Sequence, residues 1–159
     1  MRAVTDFTDA YTRASKSFRA VLTVTLRRRG LHLGQNLVLT ALAERDGQTP
    51  GEIAALLGVT TPTIVKMATR MTAAGLVFRQ RDTSDNRLVR LHLTDAGRAL
   101  SGPLAEDLEL IEERLTAGLS AAERKTLLRL MDRVSTNARE LLVEWDEELE
   151  DGHVGFDGS

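Results

Sequence analysis

The segment from residue 49 to residue 74 constrains the fold more than any other, because it holds start and stop signals for two short helices in close succession. Thr49 and Glu52 form a Thr-x-x-Glu capping box, and Gly58 ends this first helix. The threonine pair 60–61 can cap the second helix only two residues later. Two short helices joined by a tight turn that contains glycine are typical of a helix-turn-helix, although similar pairs also occur in helical bundles.

The second of these helices has an outward face that suits a polyanion. The residues that remain outside its apolar stripe are mostly hydroxyls and cations, and no Asp or Glu occurs from Ile53 to Arg81. A helix that only faces water normally includes acids. In a helix-turn-helix the second helix lies in the major groove of DNA while the first crosses the backbone. The candidate DNA-contacting residues of this recognition helix are Thr61, Pro62, Thr63, Lys66 and Arg70.

Two extended runs, residues 76–81 and 87–94, follow the second helix and flank the polar cluster 82–86. They predict a β-hairpin with a long loop, so the order of elements is that of a winged helix. Arg87 stands at the end of the loop, where an arginine suits the negative potential of a narrow minor groove. Asp85 is near enough to orient the guanidinium of Arg87, although the two residues could also serve only the hairpin. The candidate DNA-contacting residues of the wing are Arg81, Asp85, Arg87 and Arg90.

The net charge of −2 hides an uneven distribution along the chain of 159 residues. Residues 60–98 hold seven Lys and Arg against three Asp and Glu, whereas residues 99–159 hold six against fifteen. A basic middle beside an acidic end indicates two surfaces with different partners. The alternative is that charge merely solubilises each segment.

Both ends of the chain have the periodicity of long amphipathic helices. Residues 1–30 and 101–151 carry apolar residues at helical spacing, and the final residues 152–159 have the composition of a disordered tail. These helices need a surface to bury against, which a helical dimer interface supplies; a monomeric bundle is the alternative. The fold class expected is therefore mainly α with a small β-hairpin wing, an α+β arrangement.

The segment from Val59 to Leu100 resembles the MarR family of bacterial transcription regulators. The motif residues are Arg81-Asp82, Asp85-x-Arg87 and Leu93-Thr94-x-x-Gly97. The resemblance implies a homodimer with a winged helix-turn-helix lobe at residues 33–100, terminal dimerisation helices and a near-palindromic operator bound as a repressor. By position, Arg87 is the wing arginine that enters the minor groove and Asp85 is its partner. Many members have Thr, Arg and Asp where Val65, Lys66 and Thr69 stand here, so the operator sequence does not transfer.

Members of this family often bind an aromatic or anionic effector between the DNA lobe and the dimer helices. By helix order, the residues that could border such a crevice here are Arg13, Phe18, His32, Gln35 and Leu39. They could equally pack in the core or face solvent.

Other chemistry has little support in the sequence. Cysteine is absent, the three histidines lack metal-ligand spacing, and no phosphate loop or catalytic motif is present, so neither an enzyme nor a cofactor or metal site is expected. No apolar run reaches membrane-spanning length and no signal peptide opens the chain, so a cytoplasmic location is expected. The competing function is a winged-helix protein-interaction module whose basic face binds an acidic protein.

Overall fold

The computed structural model describes residues 3–150, with side chains described from residue 6 to residue 146. The predicted tail at residues 152–159 lies outside the described residues. The elements are α1 (Ala3–Arg28), α2 (Gln35–Glu44), α3 (Pro50–Leu57), α4 (Thr61–Ala73), β1 (Val77–Arg81), β2 (Val89–Leu93), α5 (Asp95–Leu115) and α6 (Ala121–Glu150). The expected fold, mainly helical with a single hairpin as its wing, is confirmed. No helix among residues 3–150 is long and apolar enough to cross a membrane.

The chain divides into two compact units at the end of α5. The first unit ends at Glu113 and the second begins at Arg114. Fully buried side chains from α2, α3, α4, β1 and β2 form one core, which includes Leu39, Leu42, Ile53, Ile64, Met71, Val77 and Leu91. Leu26 of α1 and Leu104 of α5 also belong to this core. The two helices of the predicted helix-turn-helix and the hairpin therefore share a single packed interior.

Helices α3 and α4 follow the predicted capping signals. Glu52 accepts a hydrogen bond of 2.7 Å from the Thr49 amide, and Thr49 Oγ1 accepts one of 3.2 Å from the Glu52 amide, which confirms the capping box. Gly58 ends α3 in the left-handed region at φ 65°, where a side chain would be strained. Thr60 is the N-cap of α4, but its hydroxyl shares a 2.8 Å hydrogen bond with the Thr63 hydroxyl instead of capping the backbone.

The hairpin is antiparallel, with Val77 opposite Leu93 and Arg81 opposite Val89. The loop between α2 and α3 pairs with β2, because the backbone amide of Leu91 donates to the carbonyl of Gln48 at 2.9 Å and the Gly47 amide donates to the carbonyl of Leu91 at 3.1 Å. The side chain of Gln48 is buried, and its amide nitrogen Nε2 donates to the carbonyls of Ala41 and Arg45 at 2.7 and 2.8 Å. The base of the wing is thus fixed to the helix-turn-helix.

The first turn of α5 packs directly on the turn between α4 and β1. The Thr94 hydroxyl donates to the Gly75 carbonyl at 2.6 Å, and the Thr94 amide donates to the Leu76 carbonyl at 3.1 Å. Gly97 lies so close to this turn that a Cβ atom would be 2.2 Å from the Leu76 carbonyl oxygen. The Leu-Thr-x-x-Gly motif is therefore a packing requirement of the wing exit.

Two features of the long helices concern α5. Pro103 lies inside this helix, which continues from Asp95 to Leu115. Arg29, at the end of the tri-arginine run, makes a two-pronged ion pair with Asp107 of α5, at 2.6 and 3.0 Å. This pair raises the pKa of Arg29 and lowers that of Asp107 through the shared hydrogen bonds. It links α1 to α5 and contributes to the fold.

Helix α6 begins after a Ser-x-x-Glu capping box, in which the Ser120 amide donates to Glu123 at 2.8 Å. Large apolar side chains are exposed along this helix: Leu127, Leu128, Leu130, Met131, Leu141, Leu142, Val143 and Trp145. Helix α1 likewise exposes Phe7, Tyr11, Phe18, Val21 and Val24. Such apolar faces on long helices mark surfaces that a partner covers.

Candidate nucleic-acid interface

The predicted recognition helix is α4, and its polar side faces solvent. Ile64, Ala68 and Met71 anchor its inner side in the core. The predicted DNA-contacting residues lie outside the core, with Thr61, Pro62, Lys66 and Arg70 exposed and Thr63 half-buried. Helix α4 contains Lys66 and Arg70 and no acidic residue, so its exposed surface is positive.

Arg79 of β1 joins the wing to α4. Its guanidinium donates to the Thr69 hydroxyl at 2.6 Å and to the Val65 carbonyl at 3.3 Å. Both acceptors are neutral, so the positive charge of Arg79 is not compensated by these partners. The contact fixes the angle between hairpin and helix and leaves a cation at their junction.

The wing loop is organised around Asp82, which belongs to the polar cluster between the two strands. Its buried carboxylate accepts hydrogen bonds from the amides of Ser84 and Asp85 at 2.8 and 2.9 Å, and from the Ser84 hydroxyl and the Arg90 guanidinium. These hydrogen bonds, from the Ser84 hydroxyl and Arg90 first, hold the pKa of Asp82 well below its usual range. Its place beside Arg81 in the wing motif was the only sequence signal for this role.

Asp85 and Arg87 are both exposed in the wing loop, as predicted. Asp85 does not orient the Arg87 guanidinium as predicted. Its carboxylate accepts a 3.0 Å hydrogen bond from the backbone amide of Arg87 and not from the Arg87 side chain. The Leu88 amide donates to the Asp85 carbonyl at 2.9 Å and closes the turn. Asp85 therefore shapes the backbone from which Arg87 extends into solvent.

Arg90 does not fit the predicted role of a phosphate contact. Its guanidinium pairs with Asp82, donates to the Gly47 carbonyl at 2.8 Å and lies 3.6 Å from Glu52. All these partners are within the protein, so Arg90 ties the loop of the wing to the N-terminus of α3. Arg81, the third predicted wing cation, is exposed at the end of β1.

A second polar cluster, centred on Asp46, holds the C-terminal end of β2. The Asp46 carboxylate accepts a 2.9 Å hydrogen bond from the Leu93 amide and lies 3.3 Å from His92 and 3.4 Å from Arg98. Partial burial opposes ionisation of Asp46, but these hydrogen bonds outweigh it and lower its pKa. His92 is half-buried and stacks on Phe78 at a centroid distance of 5.2 Å.

The five predicted effector-contacting residues differ in burial: two are buried in the first unit and three are exposed. Leu39 belongs to the core, and the side chain of Gln35 is buried, where its oxygen accepts a 2.9 Å hydrogen bond from the His32 amide. The side chains of Arg13, Phe18 and His32 are exposed. Sequence order placed these residues on neighbouring elements without showing which of them point inward.

An exposed basic helix, a tight glycine turn and an anchored hairpin define a winged helix-turn-helix protein. The MarR family model matches residues 31–89, which span α2 to the wing. The chain is 37% identical over 94 residues to the HTH-type transcriptional regulator TtmR of Methylorubrum extorquens. The aligned residues make up 59% of this chain and 47% of TtmR. This chain therefore spans about half the length of that curated relative.

Two solved structures extend the match to most of the chain. The transcriptional repressor CouR bound to a 23-mer DNA duplex is 31% identical, with a TM-score of 0.73 over 79% of this chain and 89% of CouR. Bordetella bronchiseptica BpsR, whose DNA binding is regulated by 6-hydroxynicotinic acid, is 25% identical, with a TM-score of 0.72 over 82% of this chain and 98% of BpsR. The chain belongs to the MarR family of transcriptional regulators.

Proposed function

We propose that this protein is a transcriptional regulator, acting as a repressor, that binds a near-palindromic operator as a homodimer. The observation that carries the proposal is the contrast among the arginines of the wing. Arg90 is held inside the protein by Asp82 and Gly47, whereas Arg87 extends from a closed turn into solvent. A fixed loop that presents a free cation suits the minor groove, while the acid-free face of α4 enters the major groove.

Within this proposal the basic residues have different tasks. Lys66, Arg70, Arg79 and Arg81 contact phosphates and supply affinity that falls with salt. Thr61, Pro62 and Thr63 lie at the N-terminal end of α4, the part of a recognition helix that approaches base edges. Arg87 adds the minor-groove contact, and Asp85 keeps its backbone in position.

The dimer is supported by the apolar faces of the terminal helices. The exposed residues of α1 and of α6 are too numerous for surfaces that face only water. The assignment of residues 1–30 and 101–151 to dimerisation, and of residues 33–100 to DNA binding, is part of the same proposal. So are the cytoplasmic location and the absence of an enzymatic role.

Regulation by a small aromatic or anionic effector is supported by BpsR, whose DNA binding responds to 6-hydroxynicotinic acid. Of the five predicted contact residues, Leu39 is in the core and Gln35 is engaged with the backbone, so the proposal retains Arg13, Phe18 and His32.

In vitro selection of DNA bound by the full-length protein, followed by gel shifts on the selected operator, tests the function. Arg87→Ala should weaken operator binding more than tenfold, about 1.4 kcal/mol or more, with folding intact. Arg45→Ala, which removes the same charge from an exposed position outside the proposed DNA contacts and the dimerisation helices, is the matched control and should bind as the wild type does. Equal affinities of Arg87→Ala and wild type would refute the role of the wing.

The same gel shifts separate the regulator from a protein-interaction module. A regulator retains its selected operator at moderate salt while binding to unrelated DNA is lost. A module with a basic face would lose all DNA equally as salt increases, and selection would enrich no sequence.

A further inference from the structure

Helix α4 carries a small apolar spot on its exposed face. The side chain of Val65 is 41% exposed, one turn after the exposed Thr61 and one turn before the exposed Thr69. Valine is a weaker helix former than most residues, and at this exposed position it contributes little to the core. Neither helix formation nor packing of the lobe therefore explains valine at position 65.

The hydroxyl of Thr69 is already committed within the protein. It donates to the Val65 carbonyl at 2.9 Å and accepts from the Arg79 guanidinium at 2.6 Å. Its single hydrogen is used in the first of these bonds, so the hydroxyl has no proton left to donate to a base. What Thr69 offers a ligand is its methyl group, and residues four apart on a helix lie on the same side as each other. Val65 and Thr69 together thus form one apolar spot.

The apolar spot limits which features of a base pair this part of α4 can contact favourably. Each base pair presents a distinct pattern in the major groove, and its apolar feature is the C5 methyl group of thymine. Building on the proposed DNA-binding function, we infer that Val65, flanked by the methyl group of Thr69, selects thymine in each operator half-site by packing on its C5 methyl group. Lys66 and Arg70, on the same exposed side, remain available for guanine or phosphate contacts.

Replacing thymidine by deoxyuridine in the selected operator tests this, because uracil lacks only the methyl group. Each thymine position is replaced in turn in both half-sites, and affinity is measured for full-length wild type, Val65→Ala and Val65→Thr. At one position per half-site the wild type should lose about tenfold in affinity, as expected for one buried methyl group in each half-site. Val65→Ala should lose most of the preference for thymine over uracil, and Val65→Thr, which keeps one methyl group, should retain part of it.

Val59→Ala is the matched control, because it shortens a valine of similar exposure, 40%, in the turn between α3 and α4. It should keep the full preference for thymine over uracil. A wild type indifferent to every replacement, or a Val65→Ala variant that keeps the preference, would overturn the inference alone. Failure of selection to enrich any sequence would overturn the DNA-binding proposal and this inference together.

Discussion

Replacing Gly97 by alanine tests why glycine stands in the first turn of α5. A Cβ atom there would lie 2.2 Å from the Leu76 carbonyl oxygen and 3.2 Å from Leu93 Cδ2. The first neighbour is backbone and the second belongs to the core, so neither can swing aside as a surface side chain would. The added methyl group must displace either α5 or the turn that leads into the wing.

Three contributions determine the size of the effect. Overpacking a close-packed interior costs about 1–3 kcal/mol. The displacement also weakens the two hydrogen bonds that Thr94 donates to Gly75 and Leu76, at about 1 kcal/mol each. Alanine regains about 1 kcal/mol because it is a better helix former than glycine. The free energy of unfolding should therefore fall by about 2–4 kcal/mol.

Urea unfolding followed by circular dichroism measures this, at one fixed protein concentration because dimerisation adds to the apparent stability. Gly102→Ala is the control in the same helix, where a Cβ atom would meet nothing within 4 Å. Gly102→Ala should gain up to about 1 kcal/mol from helix propensity alone. If Gly97→Ala were as stable as the wild type, the packing explanation of the Leu-Thr-x-x-Gly motif would be refuted.

Four further outcomes are expected. Arg90→Ala should lower the thermal midpoint by a few degrees, because Asp82 and Gly47 lose their partner, whereas Arg87→Ala should leave the midpoint unchanged in the same melting experiment. The lowered pKa of Asp82 stabilises the fold above the ordinary carboxyl pKa, and this contribution is lost as the pH falls toward the pKa of Asp82 in the folded state. Between about pH 5 and pH 3, the thermal midpoint of the wild type should therefore fall further than that of Asp82→Asn. Equal falls would contradict this. Lys66→Met should reduce the slope of log affinity against log salt by about 1 if the lysine contacts phosphate. Sedimentation should give a mass near twice the chain mass of 17.5 kDa, and a monomer at micromolar concentration would refute the dimer.

The helices and the hairpin were largely predictable, because their signals are local. Thr49, Glu52 and Gly58 specify α3 within ten residues of sequence, and the Ser120–Glu123 box starts α6 in the same way. The effect of Pro103 was less certain from the sequence. Whether a proline interrupts a helix depends on how the surrounding turns pack, and α5 continues through it.

The candidate site was predicted less completely, since a sequence shows which cations are available but not which are already paired. Arg87 and Arg90 have the same side chain three positions apart, yet the structure leaves Arg87 exposed and engages Arg90 with Asp82 and Gly47. The candidate effector residues show the same limit, because helix order does not reveal that Leu39 faces the core.

The sequence by itself determined the order of helices and strands, the acid-free recognition helix and the position of the wing. These follow from capping, glycine turns and charge within short stretches, where backbone preferences act on near neighbours. Only the tertiary structure decided that Gly97 must be small and that Arg79 joins the wing to Thr69 and Val65. It also showed that Asp82 organises the loop beneath Arg87. Each of these depends on contacts between elements, and such contacts exist only once the core has brought the elements together.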